Sequence, residues 1–327
     1  MKQFPTVTHI NIFKISAFTL AALMAELSVA GVADDSAATK TAHAPPLATP
    51  LAATVAHARA DAGASGVEIR VSCGFSGAAD ARLPGVQLGG VSVRNTDFQG
   101  FKIFRFSEET QTSIGFLYRN YSVDAAYGIP VSKAYHSLSL DIGSRWRLDD
   151  DWTLGATIKP GFYGDDARLF DSAAFSIPTA FFAEWKRGDA FSLVFGAAYS
   201  GFAEYPALPL FGVRWAMSPE WVLSLGVPST SLSYGYGKGR SVFLAAHSSG
   251  GSFHTDDSNL PSDFRDTKVS YRETRLGGGI AYPLFGIATL RAECGWMLDR
   301  KFDYHERGNA VKTDGAAYLQ IVVSSKF

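Results

Sequence analysis

From Gly66 to the last residue, apolar and polar side chains alternate with a period of two, the repeat of a strand whose faces meet unlike surroundings. Leu138, Leu140, Ile142 and Trp146 share one face of a run whose other face carries Ser137, Ser139, Asp141, Gly143, Arg145 and Arg147. Trp152, Leu154, Ala156, Ile158 and Phe162 stand against Thr153, Gly155, Thr157, Lys159 and Gly161. Phe181, Ala183 and Trp185 oppose Glu184 and Lys186, and Phe191, Leu193, Phe195, Ala197 and Tyr199 oppose Ser192, Gly196 and Ser200. Further on, Phe211, Val213 and Trp215 face away from Arg214, and Leu290, Ala292, Cys294, Trp296 and Leu298 from Arg291, Glu293, Gly295 and Asp299. Strands of this length exceed the about five or six residues usual in soluble sheets and match the roughly 9–11 that cross a bilayer at a tilt.

Alternation alone does not say which face is wet. In a sandwich the apolar faces share a core, whereas in a membrane barrel they meet lipid and the polar faces line a lumen. Tryptophan separates the two. Trp146 and Trp152 flank Leu148 to Asp151, Trp185 precedes Lys186 to Asp189, and Trp215 and Trp221 flank Met217 to Glu220. A band of Trp at one rim is expected where an indole sits half in lipid with its N–H in water. Tyr199 and Tyr304 would open the opposite girdle. Short connections, including Ser107 to Thr110 and Pro283 to Phe285, alternate with longer ones near Asp124 to Ala134, Gly164 to Ala173, Phe202 to Pro206, Ser248 to Asp266 and His305 to Lys312. Short inner turns and long outer loops are the barrel arrangement.

The pattern therefore predicts an all-β fold, a closed antiparallel transmembrane β-barrel over residues 66–327. Candidate strands begin near Gly66, Phe98, Gln111, Tyr135, Trp152, Ala174, Ala190, Ala207, Trp221, Ser231, Arg240, Thr267, Gly286 and Thr313. Reading one bent strand through Pro228 gives about 12 strands, within a range of about 10–14, and a turn there gives the upper figure.

Residues 1–33 read as a cleaved export signal: Lys2 and Lys14, the apolar run Ile15 to Ala25, then small residues around Ala30 and Ala33. Residues 34–65, rich in Ala, Thr and Pro and free of aromatics, read as a disordered tether in which His43 and His57 are solvated. The net charge of −1 and the absence of a basic stripe argue against nucleic acid as a partner. Mean hydropathy of +0.03 excludes a bundle of membrane helices. Cys73 and Cys294 fall on apolar faces and behave as small hydrophobes, too few for a metal site.

The chain ends with Leu319, Ile321, Val323, Ser325 and Phe327 on one face. A last strand finishing on Phe resembles the C-terminal signal of bacterial outer-membrane β-barrels, with Ser325 standing where an aromatic or aliphatic residue is commoner. The segment Pro209 to Gly237 resembles a family of predicted outer-membrane barrels of unknown function. What the resemblance implies is an outer-membrane location in a bacterium, outer-membrane lipid as surroundings, and recruitment of Phe327 by the barrel-folding machinery.

Lumen-facing candidates carry both signs: Arg145, Arg147, Lys159, Glu184, Lys186, Arg214, Glu273, Arg275, Arg291 and Glu293. Such residues either set the field of a passive, porin-like pore for small solutes or pair into networks that fill a closed interior. An outer-membrane barrel enzyme acting on lipid or peptide is the alternative, and it needs a Ser and a His in hydrogen-bond reach. His136 and Ser137 are adjacent in a strand and point to opposite faces, and His247 with Ser249, or His254 with Asp256 and Asp257, lie in or beside a loop. No G-x-S-x-G, HExxH or P-loop motif occurs, so no enzyme, cofactor or metal is expected. Asp256, Asp257, Asp263 and Asp266 lack the spacing of a calcium loop, and the glycines of Leu276 to Tyr282 read as positions of close interior packing.

Overall fold

A computed structural model describes residues 66–83, 86–284 and 286–327, so the expected signal and tether lie outside the described residues. These form fourteen strands, of which three are interrupted: β1 (Gly66–Leu83), β2 (Val86–Arg105), β3 (Thr110–Ala125), β4 (Ala134–Arg147), β5 (Trp152–Ile158 and Gly161–Asp165), β6 (Phe175–Ser176 and Thr179–Arg187), β7 (Phe191–Tyr199), β8 (Ala207–Ala216), β9 (Trp221–Val227), β10 (Ser229–Gly235), β11 (Ser241–Thr255), β12 (Thr267–Leu284), β13 (Ala288–Tyr304) and β14 (Asn309–Thr313 and Ala316–Lys326). Each pairs antiparallel with its sequence neighbours, and β14 returns to β1 from Glu68↔Lys326 to Ser76↔Tyr318. The sheet is therefore a closed barrel without an edge.

Fourteen strands replace the twelve favoured from the sequence, because the chain reverses at Pro228. Ser224 pairs with Ser231 and Trp221 with Tyr234, so β9 and β10 are a hairpin rather than one bent strand. Proline cannot donate to a ladder, which is why the reversal falls there. Pro160 and Pro178 likewise interrupt β5 and β6 at one level, where Ile158↔Thr179 gives way to Gly161↔Ser176. Two boundaries also move: β2 begins at Val86 rather than near Phe98, and β11 continues to Thr255, leaving a shorter connection than Ser248 to Asp266.

The wall is uneven. Strands β1–β4 and β11–β13 run 14 to 20 residues, whereas β7 to β10 run 7 to 10. Above the short strands, β5 meets β11 directly through His254↔Gly164. Asp165 ties this junction, accepting from the Thr255 hydroxyl at 2.7 Å and the Asp256 N–H at 3.0 Å. The barrel thus tapers from fourteen strands at the short-turn end to nine, β1–β5 and β11–β14, at the loop end.

Both faces change polarity along the long strands at a common level. On β12 the outward side chains Leu276, Ile280 and Tyr282 give way to Thr274, Arg272, Ser270 and Lys268, while the inward ones pass from Arg275 and Glu273 to Tyr271 and Val269. On β13 outward Cys294, Trp296 and Leu298 give way to Lys301 and Asp303, and inward Arg291 and Glu293 to Phe302 and Tyr304. Tyr304, expected in an outer girdle, is therefore fully buried. The register shift at Thr274/Arg275, between the partners Asp299 and Met297, leaves Leu298 as the extra residue of a bulge and turns Arg300 inward.

Below that level the outward face is an apolar belt. Trp146, Trp215 and Trp221 are exposed at the short-turn end, and Tyr199, Phe175 and Trp296 at the other. Phe170 of the β5–β6 connection folds outward onto Phe162, which also meets Phe175, with ring centroids 5.5 Å apart in each pair. The nine residues of β7, all apolar on this face, span roughly 23 Å at a tilt of about 40°, against about 25 Å for a membrane barrel's apolar band.

Candidate functional site

The lumen holds three layers. Nearest the loops lies an apolar cluster of Val91, Val93, Tyr121, Tyr135, Phe253, Val269, Tyr271, Phe302 and Tyr304, closed over by Ile129, Val131, Leu260 and Phe264 from the connections. Tyr271 and Phe302 stack at 4.9 Å and Phe264 meets Tyr304 edge-on at 4.9 Å. Nothing in it is solvated: Phe253 is 1% exposed, Phe302 and Tyr304 0%. The Tyr304 hydroxyl donates to the Pro130 carbonyl at 3.0 Å, which fixes the β3–β4 connection across the mouth.

Beneath the cluster sits an ionic layer. Glu273 accepts from Arg275 Nε at 2.8 Å and Nη2 at 2.5 Å, from Arg300 Nε at 2.8 Å, from Ser76 at 3.0 Å and from Tyr271. Arg300 also donates to the Val91 carbonyl at 2.7 Å, while its Nη2 is buried without a partner. All three charged side chains are essentially inaccessible. Arg119 pairs with Asp97 at 2.9 Å alongside. Gly250, at φ +147°, takes a conformation only glycine adopts easily, and its carbonyl accepts from Tyr121 at 3.3 Å.

The third layer opens toward the short turns. Arg291 donates to Glu293 at 3.0 Å, and the Tyr318 hydroxyl reaches the same carboxylate at 2.6 Å. The Tyr318 ring can lie there because Gly277 leaves room for it; a β-carbon at Gly277 would stand 2.1 Å from the hydroxyl. Across the lumen, Arg145 donates to Glu184 at 2.8 Å, Lys186 lies 3.7 Å from the same oxygen, and Lys159 pairs with Asp141 at 2.9 Å. Glu184 and Asp189 are the carboxylates acting on Arg214.

Nine of the ten lumen candidates thus fall into separate groups: Arg145, Glu184, Lys186 and Arg214 together, Glu273 with Arg275, Arg291 with Glu293, and Lys159 apart. Arg147 reaches the short-turn rim and is exposed. Arg300, Tyr271, Arg119, Asp97 and His247 belong to the same lumen and were not among the candidates. The signal for Arg300 was the break in alternation at Asp299.

Outside the strands, the Lys268 ammonium holds the Glu306 carboxyl below the usual carboxylate range, and a hydrogen bond from His136 does the same for Asp166. The three histidines on strands stand in three places, His136 facing Asp166, His247 facing Glu293 at 3.5 Å and His254 facing Asp266 at 3.4 Å. Among the described residues no group of three metal-ligating side chains is placed to hold an ion. Phe327 lies half-exposed at the short-turn rim, its backbone paired with Val67 in both directions at 3.0 and 2.9 Å.

No family model matches the chain, and no curated protein matches it. Solved structures with a similar course of chain include the COG4313 outer membrane channel from Pseudomonas putida F1, at 13% identity over 81% of this chain and 96% of that one, with a TM-score of 0.47. A Pseudomonas aeruginosa FadL homologue shows 10% identity over 81% of this chain and 91% of its own, with a TM-score of 0.44. The toluene transporter TbuX of Ralstonia pickettii shows 11% identity over 81% and 90%, with a TM-score of 0.37.

Proposed function

We propose that the chain is an integral outer-membrane β-barrel of a bacterium whose lumen is closed at rest by its own side chains, a passive conduit shut at the loop end. The double change of polarity carries this reading. A belt that is apolar outside and ionic inside fits lipid, and the section beyond it, polar outside and apolar inside, is what a water-exposed extension requires. Glu273, Arg275 and Arg300 with the aromatic cluster form the closure, and the polar vestibule below opens to the short-turn, periplasmic side. In planar bilayers the refolded protein should show no steady conductance, with rare openings. A large, stable, voltage-independent conductance would overturn the closed state.

We read the chain as non-enzymatic: the histidines are held by carboxylates at three separate sites rather than gathered beside a nucleophile. Turnover of phospholipid or peptide by the refolded barrel would contradict this. We further propose that Phe327 helps recruit the barrel-folding machinery. Phe327→Ala, which keeps both backbone bonds to Val67, should lower the outer-membrane level several-fold, whereas Lys326→Ala should not. Equal levels of the two variants in fractionated envelopes would remove that role.

A further inference from the structure

Positive charge gathers on one arc of the vestibule wall. Lys186 is the register partner of Ser192, Ser192 of Arg214, Arg214 of Ser224 and Ser224 of Ser231, so five successive strands, β6 to β10, present two cations and three hydroxyls along one row of register, which climbs from the short-turn rim as the strands tilt. Neighbouring strands stand about 4.8 Å apart, so the arc is roughly 19 Å long. Lys186, Arg214 and Arg145 gather around Glu184, with Asp189 of the adjoining turn also acting on Arg214, which leaves a formal excess of one positive charge. Arg145 Nε is buried and has no hydrogen-bond partner. The Lys186 side chain is 38% exposed, so the arc is open to the short-turn mouth.

Such an excess is unfavourable in a partly desolvated wall unless an anion is there to meet it. A point-charge ammonium, forked guanidinium groups and flanking hydroxyls donate from several directions, which suits a tetrahedral oxyanion better than a planar carboxylate. We propose that Lys186, Arg214 and Arg145, with Ser192 and Ser224, bind a phosphate group, as inorganic phosphate or on a small phosphorylated molecule, at the mouth of the lumen. The site rests on the barrel reading only for the compartment it faces.

The test is calorimetric titration of the refolded protein with inorganic phosphate in a phosphorus-free, nonionic detergent, each sample checked for the heat-dependent gel shift of a closed barrel. One saturable site is expected, and Lys186→Gln or Arg214→Gln should each weaken it by about tenfold or more, the scale of a lost charge-assisted hydrogen bond. Lys186→Arg should keep most of the affinity, and Lys102→Gln, on the outward face beside Phe104, should change nothing. A short-chain phosphatidic acid that binds more tightly than phosphate would assign the site to a lipid headgroup; equal affinity would assign it to the phosphate group alone. No saturable binding by protein that shows the gel shift, or binding unchanged in both glutamine variants, overturns the proposal. If a glutamine variant loses the gel shift, the unsubstituted protein decides: a clear preference for phosphate over chloride supports the site, and no preference refutes it. Loss of the gel shift in the unsubstituted protein would instead count against the barrel reading.

Discussion

Glu273→Ala should destabilise the barrel by roughly 3–5 kcal/mol, the loss expected when one member of a buried ion group is removed and its partners stay behind. Glu273 is the common acceptor for Arg275, Arg300, Ser76 and Tyr271, and none of the three charged side chains touches solvent. Without it two guanidinium groups face each other in an interior that offers Arg300 only the Val91 carbonyl. Water entering to solvate them must separate the aromatic cluster above from the wall, so the same variant should open in planar bilayers far more often than the unsubstituted protein. Glu273→Gln keeps one acceptor oxygen and should fall between the two. Replacing Glu273, Arg275 and Arg300 together by apolar residues of similar size should recover much of the stability while leaving the lumen closed. Urea unfolding from phospholipid vesicles, followed by tryptophan fluorescence, measures each variant. A loss under about 1 kcal/mol for Glu273→Ala would mean that water already reaches the layer.

Period two was enough to find the barrel, because along β7 and β8 the outward face stays apolar from end to end, and on β4 and β5 Leu138, Leu140, Ile142, Leu154, Ala156 and Ile158 stand outward against Ser137, Ser139, Asp141, Thr153 and Thr157 inside. It was not enough on the long strands. There the contrast between faces reverses part of the way along, so a rule that calls the apolar face outward misplaces whatever lies beyond the reversal. Tyr304 went wrong in that way, counted as a girdle residue and found at 0% exposure inside the cap. The bulge opposite Thr274 adds a second shift, marked in the sequence only by the break in alternation at Asp299, and it is what brings Arg300 to Glu273. Strand starts also blurred for a physical reason: Val86 to Asp97 on β2 carries Gly89, Gly90 and Asn95, turn-like residues, among outward polar side chains Ser92, Arg94 and Thr96. The groupings within the lumen were beyond reach, because Arg145 and Glu184 meet across 39 positions of chain and over Gly155 of the intervening β5, in a register that periodicity does not give.

The membrane level itself is open to test on a single strand. On β11, Leu244 and Ser252 share the outward face eight positions apart, and Phe253 points inward beside Ser252. Leu244 is 64% exposed, with Leu232 and Gly278 as its strand neighbours. If that face meets lipid, Leu244→Arg places a guanidinium near the middle of the apolar belt and should cost about 2–4 kcal/mol. If it meets water, an arginine at so open a position should lie within about 0.5 kcal/mol of neutral. Ser252→Arg stands beyond the change of polarity and should cost no more than about 1 kcal/mol, the lost 3.0 Å hydrogen bond to Ser270 included. Phe253→Ala, at 1% exposure inside the cap, should cost about 3–5 kcal/mol although it lies outside the belt, since it leaves a cavity in a packed core. The three variants together separate the alternatives, because a uniformly water-exposed barrel predicts a mild Leu244→Arg and a lumen that is polar to its top predicts a mild Phe253→Ala. Folding free energies in vesicles supply the comparison, and equal costs at Leu244 and Ser252 would place the membrane elsewhere on the barrel or remove it altogether.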